Sequence, residues 1–121
     1  MTSNMQKQNL QTLKGFRDIL PQDAQKRQWV KDIMISTAQA WGYEPIETPT
    51  LESYEVFKGE IGEDEKLFYK FVDNGGRQVM LRYDQTVPTC RYVAANQNSL
   101  TFPFRRYQTQ SVFRAENTQR G

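Results

Sequence analysis

The chain has no histidine and a single cysteine, Cys90, among its 121 residues. A Ser-His-Asp triad, a Cys-His dyad and a histidine-containing zinc site are therefore excluded within this sequence. One thiol cannot close an internal disulfide, and a reducing, cytoplasmic setting is the expectation. No apolar run approaches the roughly 20 residues of a membrane-spanning helix, so no membrane partner is expected. A secretory signal is also lacking, because the first residues are rich in Gln, Asn and Thr. Internal repeats and low-complexity tracts are absent.

Overall charge is small, with 16 basic and 14 acidic side chains, and gives no global argument for a nucleic-acid partner. Its distribution is uneven. Residues 1–76 carry nine basic and twelve acidic side chains, whereas residues 77–121 carry seven arginines against one Asp and one Glu. A cluster made only of Arg suits planar recognition of carboxylate or phosphate. A solvated basic face is the other reading.

Residues 1–12 are polar and aperiodic and are expected to form a disordered leader. Residues 13–121 are then a single domain or part of one. Pro21 opens a helix to about Trp41, with Val30, Ile33, Met34, Thr37, Ala38 and Trp41 at i, i+3, i+4, i+7 spacing and Gly42 as the stop. Tyr43–Thr48 reads as a short strand. Pro45 within it cannot donate to a ladder and points to a sheet edge or an interface. Leu51–Phe57 reads as a weak helical turn, and Glu60–Glu65 as an acidic loop. Lys66–Asp73 and Gly76–Arg82 form a hairpin, with Asn74-Gly75 suited to a type I′ turn. A helix follows from Asp84 to about Ala95, with Thr86 as the expected N-cap and Pro88 in the first turn. Phe102 to about Glu116 reads as one long strand. This order predicts an α+β fold, an antiparallel or mixed sheet with flanking helices.

Two constellations carry chemistry. In the segment Arg82-Tyr83-Asp84-Gln85-Thr86, an acid and a hydroxyl stand where a strand feeds a helix. They either cap the helix or meet a ligand, the acid suiting an ammonium. Further on, Arg114 and Glu116 lie two apart on one strand face, with Arg106, Gln108 and Gln110 behind them. That face meets either solvent or a cleft. A guanidinium fork can hold a phosphate bidentately, and a carboxylate can accept from an exocyclic amine, so the pair suits an adenine nucleotide. Glu44, Glu47, Glu52 and Glu55 near the Pro45 strand read as surface charge rather than a catalytic pair.

In this order, these pieces resemble the catalytic domain of histidyl-tRNA synthetase, a class II aminoacyl-tRNA synthetase. Leu13-Lys14-Gly15-Phe16-Arg17-Asp18-Ile19-Leu20-Pro21 is similar to that family's opening segment. Gly42-Tyr43-Glu44-Pro45-Ile46-Glu47-Thr48-Pro49 resembles motif 1, a helix-then-strand dimer element ending in proline. Gly62-Glu63-Asp64-Glu65-Lys66-Leu67-Phe68-Tyr69 is similar to the loop and strand leading to the substrate. Leu81-Arg82-Tyr83-Asp84-Gln85-Thr86-Val87-Pro88 resembles the histidine-pocket motif. Phe113-Arg114-Ala115-Glu116 with Gln119-Arg120-Gly121 resembles the first half of motif 2.

The resemblance implies that Asp84 holds the histidine α-ammonium with Thr86 beside it. It implies that Arg114 is the catalytic group, binding the ATP α-phosphate and the histidine carboxylate as adenylate forms. Glu116 would contact the adenine amine, and Gln119 would reach the amino acid or the tRNA acceptor end. Pro45 and Pro49 would lie at a homodimer interface. Histidine, ATP and tRNA(His) are the implied partners. Mg²⁺ would accompany ATP, and no metal-ligating residue is singled out. The second half of motif 2, motif 3 with its ATP-binding arginine, the histidine-specific segment and an anticodon-binding domain have no counterpart here. The expectation is the opening portion of such an enzyme, inactive by itself. The alternatives are a synthetase-like regulatory subunit of ATP phosphoribosyltransferase and a non-catalytic dimerisation or binding fragment.

Overall fold

The computed structural model describes residues 9–59 and 65–116. Residues 1–8 of the expected leader and most of the expected acidic loop lie outside the described residues. Helix α1 spans Pro21–Ala40. Proline suits its start, because φ is already helical and the missing N–H would have had no partner in the first turn. Asp23 in that turn complements the positive end of the helix dipole. The helix ends as Gly42 predicts. Gly42 takes φ +77°, its N–H donates to the Gln39 carbonyl, and the Tyr43 N–H donates to the Ala38 carbonyl. This is a Schellman closure, and the left-handed residue at its centre favours glycine.

The apolar stripe of α1 does not enter the core. None of the helix's residues is buried, and Met34 and Trp41 are 64% and 72% exposed. The periodicity is present, but among the described residues nothing covers it.

Beyond the helix, strand β1 is Glu44–Pro45, shorter than the Tyr43–Thr48 expected from sequence. It pairs in parallel with β5, Arg106–Tyr107, in the register Glu44↔Arg106 and Pro45↔Tyr107. The Glu44 and Ile46 N–H groups donate to the Arg105 and Tyr107 carbonyls. Pro45 sits between these two donors, so its missing N–H falls on the side away from β5 and costs the ladder nothing.

A second sheet is antiparallel, with β2 (Leu51–Ser53) and β3 (Lys70–Val72) on either side of β4 (Gln78–Leu81). Leu51–Ser53 is thus a strand rather than the start of a helical turn. Pairing with β4, in the register Leu51↔Leu81 through Ser53↔Val79, overrides the local preference. Only Tyr54–Phe57, α2, is helical.

The hairpin forms where expected but by another turn. Asn74 and Gly75 have no positive φ, and Gly76 takes +81° instead. Asp73 organises the bend: its Oδ1 accepts from the Gly75 and Arg77 N–H groups at 3.0 and 2.8 Å. Its carbonyl accepts from the Gly76 N–H at 3.0 Å. The result is a turn over residues 73–76 with a glycine bulge, in place of type I′.

Tyr54, Phe57, Phe68 and Met80 form the buried cluster, with Val56, Tyr83 and Val87 packed on it. Phe57 and Met80 are fully buried, each contributing roughly 1.5–3 kcal/mol of transfer free energy. The next helix, α3, spans Thr86–Ala95. Thr86 is its first residue and not its cap. Asp84 supplies the capping acceptor, its Oδ1 taking the Val87 N–H at 3.2 Å.

The expected long strand from Phe102 to Glu116 is a ladder only at β5. Among the described residues, 108–116 have no continuous ladder partner. They are held by the Phe113 N–H on the Arg82 carbonyl and the Ala115 N–H on the Leu67 carbonyl, each at 2.9 Å, and by side chains.

Candidate functional site

The site is built on two segments, residues 82–86 leading into α3 and residues 110–116 crossing beside it. Arg82 joins them from below. It is 3% exposed; its Nη1 donates to the Thr48 carbonyl at 3.1 Å and its Nε to the Ser111 carbonyl at 2.5 Å. Its own N–H donates to the Thr50 carbonyl at 3.2 Å, and its carbonyl receives Phe113. No described carboxylate pairs with this guanidinium. Backbone dipoles alone offset its burial, which is costly unless the geometry is closely satisfied.

Gln85 adds a tie from its Nε2 to the Gln110 carbonyl. Gln110 in turn reaches Thr48, its Oε1 accepting the Thr48 N–H at 3.0 Å and its Nε2 donating to the Thr48 carbonyl at 3.1 Å. Gln108 also donates to the Thr48 hydroxyl at 3.0 Å. The polar face seen in the sequence is therefore used inward at Gln108 and Gln110, against the chain that leaves β1.

Tyr83 lies above this base. Its ring and that of Phe68 meet edge-to-face at a centroid distance of 5.5 Å and 84°, which ties the ring to the core. The Arg114 guanidinium lies over the ring, with Cζ 4.5 Å from the centroid. The Tyr83 hydroxyl donates to Glu116 Oε1. This bond, first of all, pushes the phenol above its ordinary value of 10.0. Burial and the carboxylate's charge add to the rise, and Arg114 opposes it.

A groove of about 360 Å³ opens beside the pair, lined by Lys14, Gly15 and Phe16 of the opening segment, by Tyr69, and by Val112–Glu116. The sequence-expected residues Arg114 and Glu116 are thus brought together at one groove, exposed to solvent on their free sides. Asp84 follows Tyr83 directly and is half-buried; Thr86 is exposed. Neither lines the groove. Gln119 lies outside the described residues. Pro45 and Pro49 are both exposed. Near Pro45 an apolar hollow of about 490 Å³ runs between α1 and β5, lined by Ile33, Met34, Trp41, Tyr43 and Tyr107 among others.

The arginine-rich second part is not one basic face. Arg77 is held by Asp73, Arg91 by Glu52 at 3.1 Å, Arg82 by carbonyls and Arg114 by Tyr83. Glu52, 6% exposed, is accounted for by that ion pair. Sequence reasoning placed Arg82 and Tyr83 in the segment around Asp84 and Gln110 on the polar strand face, but gave none of them, nor Lys14, a role in the site. The one available signal was position, since Arg82 and Tyr83 immediately precede Asp84.

Two segments thus hold an arginine and a glutamate at one groove, and superposition on solved structures places this fold among synthetase catalytic domains. Histidyl-tRNA synthetase from Nostoc sp. superposes with a TM-score of 0.80 at 36% identity, over 89% of this chain and 26% of that one. An ATP phosphoribosyltransferase regulatory subunit/histidyl-tRNA synthetase from Bacillus halodurans superposes with a TM-score of 0.79 at 32% identity, over 89% of this chain and 28% of that one. In sequence, histidine–tRNA ligase of Borreliella afzelii is 44% identical over 114 residues, 93% of this chain and 25% of that protein. The histidyl-tRNA synthetase family model matches residues 15–121. The chain belongs to the histidyl-tRNA synthetase family. It spans about a quarter of the length of the curated relatives it matches.

Proposed function

We propose that residues 13–121 form the opening portion of the class II catalytic domain of a histidine–tRNA ligase. The reaction is activation of histidine by ATP, then transfer to tRNA(His). In the first step a carboxylate oxygen of histidine attacks the α-phosphorus. The bond to the bridging oxygen breaks, and pyrophosphate leaves with the electron pair. In the second step a terminal ribose hydroxyl of the tRNA attacks the carbonyl carbon and AMP leaves. The chain's own residues bind and position. Arg114 spans the α-phosphate and the histidine carboxylate and offsets charge building at phosphorus. Glu116 accepts from the adenine amine, and Asp84 takes the histidine ammonium with Thr86 beside it. Such sites act mainly by placing reactants and pre-aligning charge. Gln119 is assigned to the amino acid or the tRNA end by family likeness.

The residues present do not form a magnesium cage. Glu116 is the one carboxylate on the groove, and no group of three or more Asp, Glu or Cys converges among the described residues. Mg²⁺ is taken as part of the substrate, bound to the phosphates of ATP, and no step here is assigned to it. No helix among the described residues is long and apolar enough to cross a membrane, and we place the protein in the cytoplasm. Pro45 and Pro49, flanked by the uncovered face of α1, support a homodimer through this region.

The observation that carries the reading is the Arg114–Glu116 pair, held at one groove by Tyr83, the residue before Asp84. The test is histidine-dependent ATP–pyrophosphate exchange by the longest natural chain containing residues 1–121, with Arg114→Ala abolishing it. Residues 1–121 alone are expected to give no exchange above background, because they span a quarter of the relatives' length. A second reading, a regulatory subunit of ATP phosphoribosyltransferase, draws on the Bacillus halodurans relative's description. Absence of exchange in the longer chain, with retained dimerisation, would favour that reading or a plain dimerisation fragment.

A further inference from the structure

Arg114 and Glu116 are exposed, and long exposed side chains sample many rotamers, at a cost in entropy when a ligand fixes them. Here both are already engaged, and by the same residue. Positions two apart on an extended chain are about 6.7 Å apart along it, a span that one phenol bridges, ring at one position and hydroxyl at the other. The Arg114 guanidinium lies over the Tyr83 ring at 4.5 Å, and its Nε reaches the Tyr83 carbonyl at 3.4 Å. The Tyr83 hydroxyl holds Glu116 Oε1. Among the described residues, stacking leaves the guanidinium's Nη edge open to an anion, and Oε2 of Glu116 open to a donor.

Tyr83 itself is anchored through its ring and its backbone. Its ring meets that of Phe68 edge-to-face; Phe68 is 8% exposed and packs in turn, tilted, against Phe57. Its backbone lies between buried Arg82 and capping Asp84.

We propose that Tyr83 is the positioning residue of the nucleotide site, one side chain that sets both the guanidinium meeting the phosphate and the carboxylate meeting the base. This rests on the ligase reading above and adds to it the residue that couples phosphate binding to base choice. Touching neither reactant, Tyr83 acts through Arg114 and Glu116. The two contacts separate chemically. Tyr83→Phe keeps the ring under Arg114 and releases Glu116. Tyr83→Leu removes both supports.

The experiment is histidine-dependent ATP–pyrophosphate exchange in the longest natural chain containing these residues, with ATP compared against inosine triphosphate. The inosine base carries a carbonyl where adenine carries its amine, so a fixed Glu116 acceptor rejects it. Tyr83→Phe is expected to raise the ATP KM about tenfold, as loss of a charge-assisted hydrogen bond does. It should narrow the preference for ATP over inosine triphosphate by a similar factor. The histidine KM should move far less, and the unfolding midpoint should stay close to wild type. Tyr83→Leu is expected to lower kcat as well, because Arg114 loses its seat. A wild-type base preference and ATP KM in Tyr83→Phe overturns the proposal. So does an equal loss toward ATP and histidine in both variants, which marks a merely structural residue. If the wild-type chain itself shows no histidine-dependent exchange, the ligase reading falls and the proposal falls with it. An active wild type with an indifferent Tyr83→Phe sinks the proposal alone.

Discussion

Gln110 pairs with Thr48 as a neighbouring strand would. The side-chain amide accepts the Thr48 N–H at 3.0 Å and donates to the Thr48 carbonyl at 3.1 Å, so both backbone groups of one residue are met by one side chain. The parallel ladder of β1 and β5 ends at Ile46 and Tyr107. Gln110 extends its hydrogen bonding without requiring the two chains to stay at ladder distance. Thr48 is 4% exposed, so its N–H has no water to fall back on. Gln110→Ala should therefore destabilise the fold by about 1–3 kcal/mol, the cost of leaving a buried donor unmet. Urea unfolding checks it. A shift below a few tenths of a kcal/mol would mean that another group satisfies Thr48.

The Asp73 turn gives a pH-dependent prediction. The Arg77 N–H and then the Arg77 side chain draw the Asp73 carboxyl below its ordinary value of 3.8; desolvation opposes them, and the Arg77 charge and the Gly75 N–H add to the fall. A depressed carboxyl stabilises the fold at pH values above its unfolded pKa, and that contribution fades as pH falls through the folded pKa. Wild type should be more stable than Asp73→Ala at neutral pH, and the gap should close on titration below pH 3.8. Asp73→Asn keeps an acceptor for the Gly75 and Arg77 N–H groups but no charge, and should fall between. Thermal midpoints across that range measure it. A gap that persists unchanged in acid would show that the turn needs Asp73's shape and not its charge.

How much of this was readable in the sequence follows from how local each cause is. Helix α1 and its stop at Gly42 were legible because spacing, Pro21 and one glycine determine them within a few residues. The side-by-side placement of Arg114 and Glu116 was legible too, since extended backbone puts i and i+2 on one face. Strand β2 was not, because Leu51–Ser53 becomes a strand only through pairing with β4, nearly thirty residues on. The hairpin's position was legible and its turn type was not. Asn74-Gly75 is the stronger local signal, yet the Asp73 carboxylate holds the bend from one residue earlier. Tyr83 stood in a segment that the sequence marked, but its own role was not legible, for the same reason as β2. Nothing near it in sequence says that its ring meets Arg114 and its hydroxyl Glu116, 31 and 33 residues away.

The uncovered stripe of α1 yields a prediction about assembly. Ile33, Met34 and Trp41 are 48%, 64% and 72% exposed along one hollow with Tyr43 and Tyr107. Contiguous exposed apolar surface of this kind marks interaction sites more often than free surface. On the proposed homodimer, Met34→Lys should shift sedimentation from dimer toward monomer, while circular dichroism stays unchanged. A wild-type chain that sediments as a strict monomer at high concentration, in this form and in the longest natural form, would defeat the homodimer proposal.

Asp84 has two assigned tasks, and one substitution separates them. Its Oδ1 caps α3 by accepting the Val87 N–H at 3.2 Å. Its negative charge, at the positive end of that helix, is what the ligase reading assigns to the histidine ammonium. Asp84→Asn preserves the capping oxygen, since an asparagine carbonyl accepts the same bond. It removes the charge and puts a donor where the ammonium would sit. If Asp84 binds histidine, the variant should keep its unfolding midpoint and raise the histidine KM by the equivalent of about 1.5–3 kcal/mol. The ATP KM should change little, because Arg114 and Glu116 remain seated on Tyr83. Asp84→Ala, which removes the cap as well, should add a loss of stability of about 0.5–2 kcal/mol. Histidine-dependent exchange at varied histidine, alongside thermal unfolding of both variants, reads the two effects separately. A histidine KM unmoved in Asp84→Asn would leave Asp84 as a helix cap alone and return the ammonium site to another residue.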